Sequence, residues 1–77
     1  STNKQSINPL DKLSKREREI SELLILGDGN IEIANKLSIQ LTTVSTHKNK
    51  IFFKLNIKNI VELISLFNKD PWKKQLN

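Results

Sequence analysis

The chain is 77 residues long, with 13 Lys and Arg against 8 Asp and Glu, a net charge of +5 and a pI near 9.8. That length suits one small domain with a modest core. The charge favours a polyanionic partner, although ordinary solubility explains it as well. There is no cysteine, which excludes a disulfide framework and a thiolate metal site, and one histidine argues against a histidine-based zinc site.

No apolar run approaches the roughly 20 residues of a membrane span, and no secretory signal is visible. Elimination therefore points to an intracellular, cytoplasmic protein without membrane contact. Methionine is also absent. That suggests a piece of a longer protein, though a removed initiator leaves the same trace.

Residues 1–12 are polar and aperiodic, include Pro9, and read as a linker or tail. A first helix begins at Ser14, with Glu17 at capping-box spacing and Leu13 placed as a hydrophobic staple. Ile20, Leu23 and Leu24 form its inner face, with Leu26 at the margin. Gly27 stops it, and Asp28-Gly29 continues the turn.

The stretch Glu32 to His47 reads as the end of one helix, a tight connection and the start of another, the layout of a helix-turn-helix. Helix 2 spans about Asn30 to Leu37, with Ile33, Ala34 and Leu37 inward. Ser38 to Gln40 make the turn, and Ile39 plugs the core. Helix 3 spans about Leu41 to Leu55. Val44, Ile51 and Leu55 share one face, flanked by Phe52, while Thr42, Ser45, Thr46 and Asn49 lie on the other. Asn56 ends it.

Helix 4 starts after Asn59, which pairs with Glu62 as a cap. Its apolar residues cover roughly 220° of the helical wheel, where a one-sided surface helix needs about 100°. The excess predicts a second buried surface against a partner, for which Ile60, Val61, Ile64 and Phe67 are the candidates. Pro71 should end this helix, and residues 69–77 read as a tail. With no strand-like alternation and no repeat, the fold class is all-α: a four-helix, bundle-like domain over residues 13–68.

Several blocks then match a known pattern in order and spacing: Leu13-Ser14-Lys15-Arg16-Glu17-Arg18-Glu19-Ile20, Gly27, Asn30-Ile31-Glu32-Ile33-Ala34, Leu37, Ile39, Thr43-Val44-Ser45-Thr46-His47, Ile51 and Lys54-Leu55. They resemble the DNA-binding domain of LuxR-type transcriptional regulators, which includes output domains of two-component response regulators. The resemblance runs from Leu13 to Phe67. It implies a helix-turn-helix made by helices 2 and 3, and dimerisation through helix 4. It also implies phosphate contacts from Asn30, Thr43, His47 and Lys54, and base reading at Ser45, Thr46 and Asn49.

The residue types suit those roles on their own terms. Thr43 falls in the first turn of helix 3, beside free N–H groups and a positive dipole end, although a capping role suits it too. His47 can donate to a phosphate, or bond a neighbouring backbone group instead. Asn49 can pair bidentately with adenine, while Ser45 and Thr46 can touch base edges or a thymine methyl. Thr42 joins the same side. Lys50 is placed for phosphate, with a merely solvated lysine as the alternative, and Lys48 lies nearer the core, where its stem can be buried.

The chain departs from the family pattern in places. Ser45 stands where many members have lysine, Ser21 where leucine is usual, Ile25 where a small alanine is common, and Ile31 replaces a frequent lysine. Phe53 replaces a basic or polar residue on an outward position. Contact with a partner chain, or plain exposure, is expected there rather than intercalation.

The expectation is a non-enzymatic regulator that binds double-stranded DNA as a homodimer. It needs no cofactor and answers to an N-terminal module outside these residues, with RNA polymerase a further candidate partner. The rivals are a sigma factor region-4 fragment and a protein-interaction module that uses helix 4 without DNA. Glu17, Glu19 and Glu22 offer carboxylates, but no nucleophile–base constellation accompanies them.

Overall fold

Residues 9–68 are described by the computed structural model. They form a 3-10 turn at Pro9–Lys12 followed by α1 (Lys15–Ile25), α2 (Asn30–Leu37), α3 (Leu41–Leu55) and α4 (Ile60–Asn68). No strand occurs among them, so the all-α expectation holds.

Local chemistry sets each boundary. At the start of α1, Ser14 Oγ accepts the Glu17 N–H at 3.1 Å, and the Glu17 carboxylate accepts the Ser14 N–H at 2.9 Å. These reciprocal bonds satisfy two donors that the first helical turn leaves open. Gly27 ends the helix with φ +98°. A Cβ there would meet nothing within 4 Å, so backbone conformation, not space, selects glycine. The Asp28 N–H bonds the Leu23 carbonyl and the Gly27 N–H that of Leu24, closing the last turn.

Helix α2 starts where the Glu32 carboxylate reaches back to the Gly29 N–H. It stops at Ser38, which adopts φ 57°. The Ile39 N–H then bonds the Ala34 carbonyl at 3.0 Å, and Ile39 packs half-buried against the core. That three-residue connection delivers the chain into α3. Asn56, also left-handed at φ 56°, ends α3. At α4 the Asn59 side chain accepts the Glu62 N–H at 2.9 Å. Glu62 in turn accepts the Lys58 N–H, one residue ahead of the Asn59 N–H that a capping box would use.

Helix α3 is the central element. It packs against α1, α2 and the 3-10 turn, while α4 packs against α1 and that same turn. The core is built from Ile20, Leu24, Ile33, Ala34, Val44, Ile51, Leu55 and Leu63, with Leu10 and Phe67. Among the described residues no helix is long and apolar enough to cross a membrane.

Three expectations need correction. Part of the segment read as a linker is packed: Leu10 is 1 % exposed, because the 3-10 turn lays it against α3 and α4. Phe67, expected at a pairing surface, is buried in the monomer's own core, as is Leu63. Ile60 and Leu66 also pack against that core. The domain therefore uses much of the apolar arc of α4 itself, and Val61 is the large residue of that arc left exposed. Leu26 lies outside the core altogether. The expected stop at Pro71 and the tail over 69–77 lie outside the described residues.

Ser21, one of the departures from the family pattern, is fully enclosed in α1, and its hydroxyl has no hydrogen-bond partner among the described residues. Burying an unbonded hydroxyl costs stability, and alanine is the better helix former. Ser21→Ala is therefore expected to raise the unfolding free energy by about 1 kcal/mol, read from urea denaturation. A destabilised Ser21→Ala would show that the hydroxyl has a partner after all.

Candidate nucleic-acid interface

The helix-turn-helix leaves one side of α3 open. Thr42, Ser45, Thr46 and Asn49 are all exposed, while Val44, Ile51 and Leu55 on the opposite side are buried. The 3.6-residue period alone demands this division once the apolar stripe faces the core. The side chains of Ser45 and Asn49 make no hydrogen bond among the described residues. Thr46 Oγ1 donates to the Thr42 carbonyl at 3.0 Å, which leaves its methyl group and oxygen lone pairs for an outside contact.

The N-terminus of α3 has no side-chain cap. Gln40 occupies the capping position in extended conformation without a cap bond. The first N–H groups of α3 therefore remain as open donors beside Thr43, which is half-buried. The alternative role of Thr43 as the helix cap does not apply, since it sits inside the first turn.

His47 is also half-buried. Its Nδ1 is enclosed and has no partner among the described residues, so Nδ1 does not make the backbone bond that a purely structural histidine would. Nε2 is the ring nitrogen left for an outside contact.

Asn30, at the start of α2, accepts from Lys48 Nζ at 3.4 Å through its side-chain oxygen. Its NH2 group keeps two donors. The same bond explains why Lys48 is half-buried: its stem follows the surface and its ammonium ends on a neutral amide.

Lys54 departs from expectation. Its Nζ donates to the Glu17 carboxylate at 2.8 Å, with the lysine side chain 38 % exposed and the carboxylate side chain 5 % exposed. Burial pushes the Glu17 pKa up. The bond from Lys54, the bonds from Ser14 and the lysine's charge outweigh that effect and hold the carboxyl below its ordinary value. In the free domain, then, Lys54 is first a structural cation tying α3 to the start of α1. Nothing in the local sequence of either residue reveals this pairing.

Lys50 has no acidic partner among the described residues. Helix α3 carries Lys48, Lys50 and Lys54 and no acidic residue, so the helix as a whole is positive, which favours phosphate. Phe53 stands 86 % exposed on the same side as Thr42, Thr46 and Asn49. The spacing i, i+4, i+7, i+11 was the available signal for that placement. Among the described residues no group of three or more acidic or imidazole side chains could hold a metal ion.

Residues 11–67 match the family described as "Bacterial regulatory proteins, luxR family". The chain is similar to the "Oxygen regulatory protein NreC" of Staphylococcus epidermidis RP62A, 48% identical over 59 residues, which is 77% of this chain and 27% of that protein. It is similar to the proteins of the same name from Staphylococcus carnosus TM300, at 49% identity over 57 residues, and from Staphylococcus aureus JH9, at 47% identity over 57 residues. These two alignments each cover 74% of this chain and 26% of the relative. The chain thus spans about a quarter of the length of the curated relatives it matches. On the family match over most of its length, this chain belongs to the luxR family of bacterial regulatory proteins as a helix-turn-helix domain, a family of regulators and not of enzymes.

Proposed function

We propose that this domain binds double-stranded DNA sequence-specifically, with α3 in the major groove, as the output domain of a transcriptional regulator. The observation that carries the reading is the uncharged, exposed row Thr42, Ser45, Thr46 and Asn49 on a helix whose other side is core. An α-helix fits the major groove, and side chains of these types match the edges that bases present there. Asn30, Thr43, His47 and Lys50 border the row and hold the phosphates, which sets the pose without reading sequence. Lys54 keeps a secondary share of that role while it pairs with Glu17.

Two copies pair on an inverted-repeat site with half-sites about one helical turn apart. Their contact surface is the exposed Val61 with the half-buried Ile60 and Ile64, and Phe67 is left out of it. This surface is small, so isolated domains pair weakly off DNA. The relatives' greater length and the name "Oxygen regulatory protein" support control by a further module, a phosphorylatable receiver or a ligand-binding sensor. RNA polymerase is a further partner in this reading. The sigma-factor alternative finds no support in the family match.

Selection of bound sites from random duplexes tests the proposal. Enrichment of one motif with dyad symmetry is the expected result, and Asn49→Ala should relax preference at one base pair per half-site by about tenfold. A chain that enriches no motif overturns the reading. A motif unchanged by Asn49→Ala removes Asn49 from base reading.

A further inference from the structure

Phe53 is a large apolar side chain at the C-terminal end of the α3 reading face and almost fully exposed. On an α-helix Thr42, Thr46, Asn49 and Phe53 fall within about 60° of one another. Asn49 and Phe53 line one surface hollow together with Lys50, Lys54 and Glu17. The ring therefore stands one turn beyond Asn49, with Lys50 and Lys54 along one flank, on the side that also presents the polar row.

We propose that Phe53 is a specificity-determining residue whose ring packs on thymine C5-methyl groups in the major groove; this rests on the DNA-binding reading above. The thymine methyl is the one apolar feature of the base edges there, and apolar side chains are its natural partners. A straight helix and a curving groove diverge toward the helix end, so a contact one turn past Asn49 needs a longer side chain. The phenyl ring supplies that length where the asparagine amide would fall short. Lys50 beside it holds the helix end toward the phosphates. Wedging between base steps is a minor-groove device and is not what a major-groove helix would do with this ring.

The test uses the 77-residue chain on its selected site, with each thymine replaced singly by deoxyuridine, which removes only the methyl group. At a thymine near the C-terminal end of α3 the wild-type Kd should rise about fourfold, what burying one methyl is worth. The same replacement should be silent for Phe53→Ala, and still effective for Thr46→Ser, which lacks the other candidate methyl. Phe53 is exposed, so its removal leaves the fold intact, checked by an unchanged urea midpoint. If site-specific binding persists but no thymine is sensitive, or Phe53→Ala keeps the full sensitivity, the Phe53 assignment falls while DNA reading stands. If Phe53→Ala alters sedimentation and not the deoxyuridine pattern, the ring serves a protein contact and the assignment falls again. Absence of any site-specific binding sinks both.

Discussion

Lys54→Met should lower the unfolding free energy by about 2 kcal/mol at neutral pH, measured by urea denaturation. The substitution keeps most of the lysine stem and removes only the ammonium. It leaves the Glu17 carboxylate almost wholly enclosed, still bonded by the Ser14 backbone but without its cation. Stranding a buried charge is costly, up to about 5 kcal/mol when both partners are fully enclosed. The lysine here is 38 % exposed, so water screens part of the interaction and the smaller figure applies.

The same pair gives the domain an acid sensitivity with a definite sign. Glu17 titrates lower in the folded chain than its ordinary value of 4.5. An unfolded chain therefore takes up this proton more readily than the native one. The resulting stability is present above the unfolded pKa and is lost as pH falls through the folded one. Lys54→Met removes the bond and the charge of the lysine, two of the influences that hold the Glu17 pKa down, and leaves those of Ser14. The gap between wild type and variant should accordingly close as both are titrated into acid. A gap that stays constant from neutral pH down to about 3 would show that the lysine stem, not the ion pair, carries the effect.

Ile51→Ala is expected to cost still more, about 3 kcal/mol. Ile51 is fully enclosed in the middle of α3, the helix that touches α1, α2 and the 3-10 turn. Truncation removes three carbons of buried side chain and leaves a void that rigid helix backbones fill poorly. Small domains have little stability in reserve, roughly 0.05–0.15 kcal/mol per residue. The variant should therefore show a large unfolded fraction at physiological temperature, seen as lost helical circular dichroism. A loss below about 1 kcal/mol would mean that α3 shifts to refill the space, and that the core around it is looser than its burial indicates.

The exposed polar face and the core stripe of α3 come from one periodic pattern, so both were legible together. Thr42, Ser45, Thr46 and Asn49 had to face away from Val44, Ile51 and Leu55 once the helix formed, and they do. Ser14 with Glu17, Gly27, Ser38 and Asn56 mark helix ends through bonds spanning three to five residues, which is why those boundaries fell where the chain's chemistry put them. Where the pattern misled, the decisive neighbour was remote. An apolar arc on α4 cannot say whether its surplus meets a partner or the same chain, and Phe67 meets the same chain. Nothing in the residues around Lys54 shows that its ammonium rests on the Glu17 carboxylate.

By itself, then, the amino-acid order determined the four helices, their caps, the helix-turn-helix and the outward polar row, because helix ends and helix faces are set by neighbours within one or two turns. Only the tertiary structure decided that Leu10 belongs to the core, that Phe67 is withdrawn from the surface, and that Lys54 is held by Glu17. That ion pair joins residues 37 positions apart. Contacts at such separations depend on how whole helices pack, and packing is settled by the shape of the shared core, which no local stretch of the chain contains.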